Sequence, residues 1–143
     1  MSSFFLDYFD QFSKLPFFSN GEKALSYGLF KDAINKKKTF FKKEGIQEND
    51  VVGIKIQDPI EFFITLFALW KINVTVVPFS EKMPKENILK WFDEFLIDFF
   101  IENQKKFKNL IVKSLSSKKL NEEKNKIGAG VVILTSGSSG SPK

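Results

Sequence analysis

The stretch 131–143, VVILTSGSSGSPK, gathers the residue types best able to hold an anion. Apolar residues run directly into Thr135, Ser136, Ser138 and Ser139, which are interleaved with Gly137 and Gly140 and followed by Lys143. Glycines let successive backbone N–H groups turn into one concavity, so that main chain alone can cradle phosphate oxygens. The hydroxyls add donors and the lysine adds a positive charge. The spacing is not that of the commoner phosphate loop, because Gly137, Gly140 and Lys143 do not fit G-x-x-x-x-G-K. Gly128-Ala129-Gly130 is no dinucleotide fingerprint either, since it precedes a strand and does not open a helix. On composition alone, Ser-Gly-Ser-Ser-Gly-Ser also fits a flexible linker. Anion loop and linker both stay open at this level.

The elements that must position this stretch alternate between helix and strand. Residues 2–14 read as a short helix crowded with Phe on one side. From 29 to 44, Leu29, Phe30, Ala33, Ile34, Phe40 and Phe41 follow the spacing of an amphipathic helix. Lysines 36, 37, 38, 42 and 43 take its wet side and last turn, and Gly45 stops it. A turn at 47–50 leads to a strand at 51–56. Asp58, Pro59 and Glu61 then stand as N-cap, first helical residue and capping-box acid of a helix over 59–71. That helix is apolar on nearly all sides, so it belongs inside a layered domain. A β-branched strand follows at 74–79. A helix over 84–96 is expected to bury Ile88, Leu89, Phe92 and Phe95. Strands at 98–101, 110–112 and 131–134 complete the chain. Continuous apolar strands separated by helices predict an α/β fold, a mostly parallel sheet covered by helices on both faces.

Composition narrows the chemistry. The chain has 143 residues, 43% of them hydrophobic and 27% charged, as an ordinary globular domain does. Its sequence contains no Arg, His or Cys. Disulfides, thiolate or imidazole metal sites, histidine-based triads and arginine clamps on phosphate are therefore excluded within it. Hydroxyls, carboxylates, lysines and backbone amides remain. No catalytic residue and no metal ligand can be assigned. The N-terminus lacks a secretory signal pattern, the longest apolar run is too short to span a bilayer, and cysteine is absent. A soluble, cytoplasmic protein is expected. The net charge of +5 is concentrated in residues 105–126, which hold eight Lys against two Glu. This segment reads as a solvated, lysine-rich surface excursion. A basic nucleic-acid or anion-binding module is the alternative, but nucleic acid is disfavoured because Phe107 stands without the interleaved aromatics that stack bases.

Residues 134–143, LTSGSSGSPK, resemble the phosphate-binding signature of the adenylate-forming superfamily, aromatic-T-S-G-[ST]-T-G-x-P-K-G. This superfamily includes acyl- and aryl-CoA synthetases, adenylation domains of peptide synthetases and luciferases. The resemblance extends upstream. Ser26-Tyr27 with Leu29, and GIQENDVVGI at 45–54, look like its T-Y-x-x-L and G-[VI]-x-x-G-D-x-V-[AG] patterns. The helix at 59–71 followed by 73–79 is similar to its E-x-x-x-x-x-x-A-x-x-x-x-G-x-x-x-x-P stretch. Matches in this order weigh against the linker. Four positions depart from the pattern. Leu134 replaces an aromatic, Ser139 a Thr, and Asn49 and Asn73 each a Gly. Ala24-Leu25 is all that remains of the family's first strand.

What the resemblance implies is an ATP-dependent carboxylate-activating ligase of the acid–thiol type, similar to an acyl-CoA synthetase. The acid attacks the α-phosphate of ATP, and a thiol then takes the acyl group from the adenylate. Thr135, Ser136, Gly137, Ser138, Ser139, Gly140 and Lys143 would hold the β- and γ-phosphates. The partners implied are a carboxylic acid and a thiol acceptor, either CoA or a carrier-protein phosphopantetheine. Magnesium is implied with ATP, its ligands outside these residues. The acyl pocket, the ribose-binding acid and the catalytic lysine lie later in the family pattern, whose next Gly would be residue 144. The chain thus reads as one partial domain over 1–143, the first part of a large N-terminal domain, and is expected to be inactive alone.

Overall fold

Runs of β-branched and aromatic residues that are apolar on both faces can be satisfied only between two layers, and such runs build the central sheet. The computed structural model describes residues 9–19, 21–103, 110–114 and 128–134. Residues 9–11 are helical. A hairpin of β1 (Pro16–Ser19) and β2 (Ala24–Ser26) follows, then α1 (Tyr27–Lys43), β3 (Val51–Lys55), α2 (Pro59–Trp70) and β4 (Thr75–Pro78). The chain continues through α3 (Lys85–Glu94), β5 (Phe99–Asn103), β6 (Leu110–Ser114) and β7 (Gly130–Val131).

Five strands form one sheet in the order β6-β5-β3-β4-β7. Strands β3, β4, β5 and β7 pair in parallel, and β6 runs antiparallel against β5. Alternate residues serve opposite faces. Val52, Ile54, Val76, Phe99 and Ile101 pack with Phe30, Ile34 and Phe41 of α1 and with Ile64, Ala68 and Leu69 of α2. Val77 and Phe100 pack on the other side with Ile88 of α3 and with Phe79 and Ile97. The expected parallel sheet with both faces covered is what the chain adopts.

The elements differ from expectation in instructive places. Of the first strand the sequence shows only Ala24-Leu25, yet a hairpin forms there, β1 and β2 pairing from Pro16↔Ser26 to Ser19↔Ala24. It carries Phe17 into an aromatic cluster with Phe9, Tyr27 and Phe30, where Phe17 and Phe30 stack at 4.2 Å. Leu89 does not join the core and is 48% exposed, while Ile88 beside it is buried. Leu29 and Phe40 of α1 are also exposed. Asp58 does cap α2, its Oδ1 accepting from the Ile60 N–H at 3.3 Å. Glu61 reaches sideways to the Lys37 ammonium of α1, an ion pair between neighbouring helices. Strand β6 extends to Ser114, and its Lys113 pairs with Glu102 of β5. The rest of the lysine-rich segment 105–126, and residues 1–8 of the first expected helix, lie outside the described residues.

All three helices stop in the same way. The Ile46 N–H bonds the Phe41 carbonyl and the Gly45 N–H that of Lys42, with Gly45 at φ 93°. The Val74 N–H bonds Leu69 and the Asn73 N–H bonds Trp70, with Asn73 at φ 66°. The Ile97 N–H bonds Phe92 and the Leu96 N–H bonds Asp93, with Leu96 at φ 50°. These are Schellman closures around one left-handed residue. Glycine takes that conformation freely, Asn tolerates it and Leu is strained by it. Asn49, also departing from a family glycine, is likewise left-handed at φ 66°.

At the end of α2, Lys71 donates to Asn35 Oδ1 of α1 at 2.6 Å. Burial first, then the charges of Lys38 and Lys31, pull its ammonium below the ordinary lysine value. The unfolded chain therefore holds this proton to higher pH, and stability rises as pH climbs between the folded and unfolded values. Lys71→Met is expected to stabilise the fold at neutral pH and to flatten that alkaline rise, read from urea midpoints. Relief of left-handed strain makes Leu96→Gly stabilising by about 0.5–1 kcal/mol, and Gly45→Ala destabilising by about 1–2 kcal/mol. The Thr65 hydroxyl is fully buried in α2 with no hydrogen-bond partner among the described residues. Thr65→Val is accordingly expected to raise stability by about 1 kcal/mol in the same measurement.

Candidate functional site

Because β3, β4, β5 and β7 are parallel, their carboxyl ends share one edge of the sheet. From β3 the chain passes to α2 on one face, and from the adjacent β4 it passes to α3 on the other. Connections leaving neighbouring strands toward opposite faces open a crevice between them, where ligands of open α/β sheets bind. Residues 56–58 follow β3 and residues 79–84 follow β4 at this edge.

Strand β7 runs toward that edge, and the candidate anion segment follows it in sequence. The strand lies outside β4 with Thr75 opposite Gly130 and Val76 opposite Val131. One further bond, from the Val132 N–H to the Val76 carbonyl at 2.9 Å, carries the register onward. Val132 and Leu134 pack with the cluster on the α3 face, whereas Val131 and Ile133 are exposed, Ile133 at 68%. This alternation keeps the chain extended to Leu134, beside the end of β4. The Leu that stands where the family pattern has an aromatic thus sits against an apolar cluster. The expected anion-binding residues, Thr135, Ser136, Gly137, Ser138, Ser139, Gly140 and Lys143, lie outside the described residues.

What holds β7 in place was not legible in the sequence. Trp70 Nε1 donates to the Gly130 carbonyl at 3.0 Å, and Thr75 Oγ1 donates to the Gly128 carbonyl at 2.8 Å. Between them, Asn73 Oδ1 accepts from the Ala129 N–H at 2.8 Å. The same carboxamide donates through Nδ2 to Glu48 at 2.8 Å. Asn73 had been noticed only as a departure from glycine. An asparagine just beyond a mostly apolar helix was the one available signal.

Around the sheet, no group of three or more His, Cys, Asp or Glu among the described residues is placed to hold a metal ion. No helix among them is long and apolar enough to cross a membrane.

The sequence model for the AMP-binding enzyme family matches residues 7–143. Among solved structures, the fold resembles the NpsA N-terminal subdomain of Klebsiella oxytoca in complex with 3-hydroxyanthranilyl-AMSN. That likeness has a TM-score of 0.69 at 19% identity and covers 96% of this chain and 38% of that one. O-succinylbenzoate coenzyme A synthetase of Bacillus subtilis, in complex with ATP and magnesium ion, gives a TM-score of 0.62 at 13% identity, over 72% of this chain and 28% of that one. A stretch of 64 residues, 45% of the chain, is 30% identical to N-benzoylphenylalaninol synthetase of Penicillium brevicompactum and covers 3% of that protein. The chain therefore spans well under half the length of each of these relatives.

Proposed function

The chain belongs to the AMP-binding enzyme family, and from that premise we propose that it is the nucleotide-cradling part of an ATP-dependent carboxylate-activating ligase. The observation that supports this reading is the parallel pairing of β7 with β4, which runs the described chain toward the carboxyl edge of the sheet as far as Leu134, the residue before 135–143 in sequence. In the reaction, a carboxylate oxygen forms a bond to the α-phosphorus of ATP while the bond to the pyrophosphate oxygen breaks. A thiolate sulfur then attacks the acyl carbon, and AMP leaves. The hydroxyls of Thr135, Ser136, Ser138 and Ser139 and the backbone N–H groups of Gly137 and Gly140 donate to the β- and γ-phosphate oxygens. The charge that accumulates on the departing pyrophosphate thus meets donors already aimed at it. Lys143 adds its positive charge at the same oxygens. No proton transfer is asked of these residues.

The substrates are a carboxylic acid, ATP and a thiol acceptor, CoA or the phosphopantetheine of a carrier protein. The fusion of NpsA with a carrier domain, described as an adenylation-PCP di-domain, supports the carrier alternative. The complex of the Bacillus synthetase with ATP and magnesium supports ATP with magnesium as the nucleotide form. The described residues offer no carboxylate cluster for that ion. Activity belongs to the protein at its natural length, with residues 1–143 alone inactive.

Carboxylate-dependent ATP–pyrophosphate exchange at natural length tests the reading. Exchange is expected with at least one member of a panel of fatty, aryl and amino acids. It should be lost in Gly137→Pro and lowered about 100-fold or more when the Ser136 and Ser139 hydroxyls are both removed. A folded protein that exchanges with no member of the panel would contradict it.

A further inference from the structure

Strand β7 is two residues long and paired by the described residues only to β4. Register in so short a ladder is weakly specified, and a slip of one residue would turn Val132 and Leu134 away from their cluster. Four residues carry the described chain from Gly130 to Leu134, roughly 13 Å when extended, so a small rotation at 130 becomes a larger displacement where the anion segment begins in sequence. Something besides the ladder must fix the start of β7.

We infer that Asn73 is a positioning residue for the anion-binding segment, its carboxamide fixing the backbone at 128–130 together with Trp70 and Thr75. This inference rests on the adenylating reading for its ligand. One backbone group on each of three successive residues, the Gly128 carbonyl, the Ala129 N–H and the Gly130 carbonyl, is engaged by a different side chain. All three side chains come from the end of α2 and the start of β4. The orientation of Asn73 is dictated from both sides. The Ala129 N–H requires the amide oxygen, and the Glu48 carboxylate requires the amide nitrogen. Its backbone is fixed as well, as the left-handed residue that terminates α2, with its carbonyl accepting from the Asn49 N–H at 3.0 Å. Gly128 is the matching surface. At φ 72°, it lies where an added Cβ would come within 3.0 Å of Asn73 Oδ1. The turn before β3, the end of α2 and the entry to β7 thus meet on one carboxamide.

Asn73→Gly is the clean test, because glycine keeps the left-handed backbone at no steric cost and deletes only the carboxamide. In the protein at natural length, amide hydrogen exchange at 129–131 is expected to quicken. In ATP–pyrophosphate exchange, the KM for ATP should rise about tenfold, the scale of one lost hydrogen bond, while the KM for the carboxylate holds. Asn73→Asp alone sets two carboxylates against each other. Combined with Glu48→Gln, it restores an acceptor for Ala129 and a donor from residue 48, and recovery of the KM for ATP is expected. Faster amide exchange with an unchanged KM for ATP would overturn the inference, leaving a merely structural contact. So would an Asn73→Gly protein unchanged in both. An unsubstituted protein that shows no ATP–pyrophosphate exchange marks the separate failure of the adenylating reading and removes the proposed ligand, whereas amide exchange at 129–131 still reports whether the brace exists.

Discussion

A parallel sheet obliges the chain to return after every strand to the end where the next strand begins, and the left-handed residue closing each helix accomplishes that return. Without it, the last carbonyls of a helix buried against a sheet would lack partners, at a cost comparable to a lost hydrogen bond each. Gly45, Asn73 and Leu96 occupy this position in α1, α2 and α3, with φ of 93°, 66° and 50°. The strand entries then follow closely. The Thr75 N–H bonds the Asp50 carbonyl at 3.0 Å and the Asp98 N–H bonds the Val51 carbonyl at 2.8 Å, so the starts of β3, β4 and β5 are tied to one another. Asp98 strengthens this from its side chain, its Oδ2 accepting from the Val51 N–H at 2.8 Å.

With amino ends aligned in this way, the carboxyl ends are aligned too. The helices α2 and α3 leave adjacent strands toward opposite faces, the topology at which open α/β sheets bind ligands. Strand β7 lies on the β4 side, and the hydroxyl- and glycine-rich segment follows it in sequence. The terminator of α2 therefore serves two ends. Its backbone turns the chain into β4, and its side chain secures the entry to β7. A glycine there could do the first of these and not the second.

Much of this was readable because it depends on local pattern. The period of α1, the N-cap at Asp58, the stop at Gly45 and the doubly apolar strands all declare themselves within a few residues. The hairpin did not, since PFFS and ALS are too short for strand alternation and gain their order from Phe9, Tyr27 and Phe30. Leu89 follows the apolar spacing yet lies beyond the stripe that reaches the sheet. Glu61 has the capping-box position, but a lysine of the neighbouring helix competes for it. The brace on β7 joins residues as much as 60 positions apart, and no window along the sequence contains it. The two asparagines that broke the family's glycine pattern were the visible trace of left-handed backbone, and both prove to occupy it.

On the adenylating reading proposed above, residues 135–143 receive the phosphates of ATP. Amide hydrogen exchange of the natural-length protein, with and without magnesium-ATP and its carboxylic acid, tests this most directly. The account requires protection concentrated over 134–143, with a smaller gain at 128–132. Protection absent there, or confined to the lysine-rich segment 105–126, would contradict it and turn attention to a basic binding surface.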